Sequence, residues 1–137
     1  YPPGRVKERV DELVERFGIT RYADVRVEKL STGMKQKVSI ARTFAHNPQI
    51  VIFDEPTVGL DVINALEVQE TISALRNEGK TILFATHIMS EAERLCNRIA
   101  IVHGGRILTC DTLEGLRAQT GRHYLEDIFV YLVKAPQ

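Results

Sequence analysis

The sequence predicts an α/β fold, a parallel sheet with flanking helices plus a β-hairpin towards the C-terminus. Three observations carry that expectation. Two short apolar runs, Ile50-Val51-Ile52-Phe53 and Thr81-Ile82-Leu83-Phe84-Ala85, have strand length and the near-continuous hydrophobicity of strands buried on both faces. A helical pattern lies between them, and helix–strand–helix–strand order favours parallel pairing. Gly104-Gly105 then separates Ile99–Val102 from Arg106–Leu108, with glycines where a two-residue turn needs positive φ.

The elements follow in chain order. Val6, Val10, Leu13, Val14 and Phe17 recur at helical spacing, and Gly18 is a ready stop. A polar connector leads through Leu30 to Ser31-Thr32-Gly33. A second helix carries Val38, Ile40, Ala41, Phe44 and Ala45 until Asn47-Pro48 ends it. The first strand follows. Ala65, Val68, Ile72 and Leu75 mark a third helix, closed by Gly79 ahead of the second strand. That strand runs into Thr86-His87, and Ser90 is placed to cap a short helix with Glu91, Ala92 and Leu95. After the hairpin, helical stretches are expected around Thr112–Gln119 and Tyr124–Val133. No internal repeat or low-complexity segment is present.

Composition excludes some classes. The chain has 137 residues, 44% of them hydrophobic, which suits one globular domain or most of one. Its formal net charge is zero, unlike a basic nucleic-acid binder or a polybasic membrane anchor, so no nucleic-acid partner is expected. No apolar run approaches the roughly 20 residues that span a bilayer. Cys96 and Cys110 lack metal-ligand spacing and read as small buried hydrophobes in a reducing compartment, with a disulfide as the alternative. The first residues are polar and proline-rich, not signal-like, and a start on Tyr1-Pro2-Pro3 without methionine suggests a piece of something longer, or a processed product.

The chemistry concentrates at the strand ends. In an open parallel sheet, ligands gather at the carboxyl ends of the strands. Asp54 and Glu55 end the first apolar run, and Thr86-His87 ends the second. Adjacent acids fit a solvated turn, and a lone histidine fits a surface cap. The same residues also fit magnesium binding and activation of a hydrolytic water beside a phosphate chain. Upstream, "KLSTGMKQKVSIAR" (residues 29–42) sets a small-residue turn at a helix N-terminus. Such a turn is either an ordinary serine cap or an anion site made by free amides and the helix dipole. Gly79-Lys80-Thr81 imitates a phosphate loop, but Ala74 stands where the first glycine of G-x-x-x-x-G-K-[ST] belongs, and the tripeptide leaves a helix to enter a strand. It reads as a helix stop.

Taken together, the motifs resemble those of ABC ATPases. Leu30-Ser31-Thr32-Gly33-Met34 is similar to their LSGGQ signature, and Val51-Ile52-Phe53-Asp54-Glu55-Pro56 to their Walker B strand. Gly59-Leu60-Asp61 resembles the D-loop, and Thr86-His87 the switch histidine. Order and spacing match over nearly the whole chain. The likeness is strongest to ATP-binding subunits of the export type, of the sodium- and drug-efflux kind, in which "THIMSEAERLCNRIAIVHGGRIL" (86–108) and "LEDIFVYLV" (125–133) would be at home.

The resemblance implies the C-terminal part of a P-loop NTPase core, with residues 1–47 a remnant of the helical subdomain carrying the signature. Residues 48–110 would be the Walker B, D-loop and switch part of the core, and 111–137 a helical tail. It implies ATP and Mg²⁺ as cofactors: Asp54 for the metal, Glu55 as general base, and His87 at the γ-phosphate. Ser31, Thr32 and Gly33 would face the nucleotide held by a second nucleotide-binding domain in a head-to-tail dimer, and Asp61 would organise that contact. Thr32 and Met34 depart from the commoner Gly and Gln; Thr32 either obstructs the approach of phosphate or adds a donor. A membrane-spanning permease would be the other partner, at the cytoplasmic face of the cell membrane. The Walker A loop of the family would lie upstream of Tyr1. The segment alone is therefore expected to be inactive, with apolar area exposed around Val51 and Leu83. The alternatives are a non-catalytic truncated interaction module and a non-transport ABC ATPase.

Overall fold

A computed structural model describes residues 2–134 and divides into two compact units, Tyr1–Ala85 and Thr86–Gln137. The first unit opens with α1 (Val6–Arg16), which ends at Phe17 before Gly18, at φ 65°. Its apolar stripe is only partly used. Leu13 and Phe17 are buried, but Val6 and Val10 stay about half exposed.

Helix α2 (Thr32–Thr43) starts on a Ser31 cap and tightens into a 3-10 turn, Phe44–His46. Asn47, at φ 51°, then ends it in the left-handed conformation that asparagine tolerates. The side chain of Arg9 satisfies the carbonyls that a helix end leaves open: its Nη2 donates to the Phe44 oxygen at 2.6 Å and its Nε to the Ala45 oxygen at 3.2 Å.

Strands β1 (Ile50–Asp54) and β2 (Thr81–Ala85) pair in parallel, Ile50 with Thr81 through Asp54 with Ala85. Helix α3 (Val62–Asn77) is the crossover, burying Val68, Ile72 and Leu75, and Gly79 at φ 83° stops it as expected.

The strands differ from the sequence reading in one respect. They are buried on one face, not two. Val51 and Phe53 are buried, whereas Ile50 and Ile52 are each 67% exposed and Leu83 61%. The expected exposure around Leu83 is therefore present, but Val51 is in the core and Ile50 and Ile52 take its place on the open face. The cause is the two-residue side-chain period: a two-stranded sheet covered on one side leaves alternate residues bare. An unpaired apolar ribbon of this kind is a template for association. The chain is expected to self-associate in size-exclusion chromatography with light scattering, and the pair Ile52→Lys and Leu83→Lys to shift it towards monomer. A clean wild-type monomer would contradict this.

The second unit has its own core of Ala92, Ile99, Ile101, Leu116, Leu125 and Ile128. Helix α4 (Met89–Leu95) begins one residue before the expected serine cap, so Ser90 lies inside its first turn. Thr86 organises the entry instead: its hydroxyl accepts from the Ile88 N–H at 3.0 Å and lies 3.2 Å from the Glu91 Oε2.

Strands β3 (Ile99–His103) and β4 (Arg106–Asp111) form the antiparallel hairpin, with Gly104 and Gly105 both at positive φ and a register shift between Ile101 and Val102. Thr112 caps α5 (Leu113–Thr120), and the Glu93 carboxylate accepts the Leu125 N–H that starts α6 (Leu125–Lys134). Neither cysteine is in a disulfide. The expectation that they are buried fails, since Cys96 is half-buried and Cys110 is exposed on a strand of the open hairpin. No helix among the described residues is long and apolar enough to cross a membrane.

Candidate functional site

Asp54 is the last residue of β1 and shares its exposed face with Ile50 and Ile52, so its carboxylate stands free of the core at the carboxyl end of the strand. Glu55 does not continue the strand. Its φ is 47°, left-handed, although the following Pro56 normally pushes its neighbour into the extended region. Two bonds hold it there. Its N–H donates to the Ala85 oxygen at 2.9 Å, and its carbonyl accepts from the Val58 N–H at 3.2 Å, closing a turn with Pro56 at the second position. The glutamate is half-buried, with Oε2 shielded from solvent. Thr57, in the same turn, is 4% exposed, and its hydroxyl has no hydrogen-bond partner among the described residues. The two acids thus part company: Asp54 faces solvent while Glu55 is turned back towards the protein.

At the N-terminus of α2 the Ser31 Oγ accepts from the Met34 N–H at 3.3 Å, and the Ser31 carbonyl takes the Lys35 N–H. Helix geometry leaves the first amides, those of Thr32 and Gly33, without an intrahelical acceptor. Thr32 is exposed and Gly33 is buried. Asp61 caps α3 in the same way, its Oδ1 accepting the Asn64 N–H at 3.0 Å and its Oδ2 the Asn64 side-chain amide.

The bond from the Asn64 backbone N–H, and then that from its side chain, hold the Asp61 carboxyl below its ordinary value. A depressed folded-state pKa contributes stability that is present above the unfolded pKa, about 4, and is lost as pH falls through the folded value. Asp61→Ala should therefore cost most at neutral pH, and the gap in unfolding midpoint from wild type should shrink below pH 4. An equal gap at pH 6 and pH 3 would show that the charge is irrelevant.

His87 is exposed and belongs to the second unit, two residues beyond the end of β2. Lys80, the lysine of the false phosphate loop, donates to the Asn47 Oδ1 at 2.7 Å, so the tripeptide serves the helix-to-strand junction. Asn64 is the residue that sequence reasoning missed. The available signal was its place three residues after a capping aspartate, the position from which side chains reach back to a cap.

The sequence profile of the ABC transporter family matches residues 5–58. The ABC transporter ATP-binding protein NatA of Bacillus subtilis (strain 168) is 42% identical over 125 residues, 91% of this chain and 51% of that protein. A solved chain described as the ATP binding subunit of an ABC transporter aligns with a TM-score of 0.81 at 33% identity, covering 98% of this chain and 57% of that one.

The chain belongs to the ABC transporter ATP-binding family.

The Nod factor export ATP-binding protein I of Neorhizobium galegae is also 42% identical, over 75% of this chain and 30% of its own length. The chain thus spans about half or less of the relatives it matches. In this ABC family segment, the four motifs identified in the sequence occupy a strand end, two helix caps and the start of the second unit.

Proposed function

We propose that this chain is part of an ATP-hydrolysing subunit that powers an ABC transporter, in the export direction. The observation that carries the reading is the left-handed Glu55. A turn after a strand is made without strain by glycine or asparagine, and a glutamate kept there at a cost points to its carboxylate being needed in that place. The chemistry that needs it is abstraction of a proton from the water that attacks a γ-phosphate. Asp54, a single accessible carboxylate, fits Mg²⁺, which binds through one or two carboxylates and takes its remaining ligands from phosphate and water. That ion would supply charge neutralisation on the phosphates.

The amides of Thr32 and Gly33 would meet the γ-phosphate of a nucleotide held by a second ATP-binding domain, head to tail, with Ser31 beside them. Exposure of the Thr32 side chain supports the reading in which its hydroxyl adds a donor beside them. Asp61 would brace the contact between domains, and His87 would position the attacking water. Residues 1–47 serve in this reading as the signature-bearing subdomain, 48–110 as the catalytic core and 111–137 as a tail. A membrane-spanning permease at the cytoplasmic face is the driven partner. Export as the direction rests on relatives whose names carry export or drug resistance. The deciding test is nucleotide binding and turnover by the longer polypeptide that carries this segment, wild type against Glu55→Gln.

The exposed apolar face of β1 and β2 also suits a second reading, a non-catalytic module that pairs with an intact partner. Turnover that requires Glu55 would exclude it.

A further inference from the structure

We propose that Asn64 is a positioning residue that locks the Ser31–Gly33 turn to the Asp61 cap, and that its side chain is what keeps position 33 a glycine. The proposal rests on the nucleotide-facing role given above to both turns. The backbone does not demand glycine at 33, since Gly33 is not among the residues at positive φ. Space does. A Cβ at position 33 would lie 2.4 Å from both Cγ and Oδ1 of Asn64, closer than real Cβ atoms approach, and 3.0 Å from its Cβ, a tight contact, so the Asn64 amide would have to move. The Asn64 amide therefore lies directly against the Gly33 backbone.

The other end of the same amide is committed too. Its Nδ2 donates to the Asp61 Oδ2, while the Asn64 backbone N–H donates to Oδ1. One planar group thus joins the start of α2, whose first amides point out of the helix, to the cap of α3. One turn further along, Lys37 Nζ meets Glu67 Oε2 at 2.6 Å. Residues 33 and 37 on α2 and 64 and 67 on α3 stand at helical spacing, so the two helices are joined at two successive levels. Of these links, only the first touches both functional turns. Any displacement of Asp61 by a partner domain must move Asn64, and with it the Gly33 backbone. The Asn64 amide neither reaches a phosphate nor reacts. It sets where the amides of Thr32 and Gly33 stand.

A four-variant cycle tests the joint in the 137-residue chain by thermal unfolding. Gly33→Ala should lower the midpoint by at least about 4 °C, because the Asn64 side chain must swing away and release Asp61. In an Asn64→Ala background the same change should cost less than half as much. Equal costs in both backgrounds would overturn the claim that Asn64 holds the space. This outcome is independent of catalysis, so it survives failure of the ATPase reading.

The positioning role is tested in the longer ATP-hydrolysing polypeptide with Asn64→Asp, which keeps the shape against Gly33 but cannot donate to Asp61. Its kcat should fall at least about tenfold (1.4 kcal/mol) with KM for ATP within about twofold, and Asn64→Gln should not rescue it. In carboxyl NMR the Asp61 titration should move up. An unchanged kcat with the Asp61 bond lost would refute positioning and leave only a structural contact.

Discussion

Replacing Glu55 with glutamine in the longer polypeptide is expected to cut ATP turnover by about 10²- to 10⁴-fold, the usual worth of a general base, while leaving nucleotide binding intact. The amide has the same shape and can still hold a water, but it cannot take its proton. Steady-state hydrolysis and equilibrium binding of ATP measure the two effects separately. Near-wild-type hydrolysis would remove Glu55 from the chemistry. The backbone supplies an internal control. A non-glycine residue in the left-handed region costs about 1–2 kcal/mol, of which glycine's extra chain entropy takes back about 0.5–1. Glu55→Gly should therefore relieve up to about 1.5 kcal/mol of backbone strain while abolishing turnover. Activity and stability moving in opposite directions at one residue distinguish a functional carboxylate from a turn residue.

The largest stability effect is expected at Phe44. It is fully buried, its ring centroid lies 5.6 Å from that of Phe17, and the Arg16 guanidinium sits 5.8 Å above it. Its carbonyl also receives the Arg9 side chain, so one residue joins α1 to the end of α2. Phe44→Ala should cost about 3–5 kcal/mol, the transfer free energy of the ring plus the cavity it leaves. Against a typical stability of about 5–15 kcal/mol, that removes much of what holds a small domain folded. Urea unfolding would show a lower midpoint at unchanged slope. Val10→Ala, on the half-exposed part of α1, should change stability by no more than about 0.5 kcal/mol. Equal effects at the two positions would mean that the assigned core is wrong.

Part of the local structure was legible in the sequence: Ser31 caps the helix that follows it, one of the two readings its turn allowed, because a serine before an apolar periodic run satisfies an amide within three residues. The Asp61 cap of α3 follows the same rule but was not among the expectations. The glycines that end α1 and α3 and make the hairpin turn take the positive φ their positions called for. The differences in burial have a common cause. Apolar character in Ile50, Ile52, Val6 and Val10 signals a tendency to be covered, but says nothing of whether this chain supplies the cover. Ser90 was misplaced as a cap because the Thr86 hydroxyl, earlier in the chain, already takes the Ile88 amide. Cys110 was misplaced because a strand in an open two-stranded hairpin has an uncovered face.

The sequence by itself determined the order of elements, the glycine stops, the Ser31 cap and the strand end that bears Asp54. Those features depend on side-chain period and on hydrogen bonds between near neighbours, which a single chain segment contains. Only the tertiary structure decided which face of β1 is buried, that Glu55 turns left-handed against the Ala85 carbonyl, and that Asn64 stands over Gly33. Each of these depends on a contact between residues far apart in the chain, where excluded volume and pairing geometry choose among conformations that local preference leaves open.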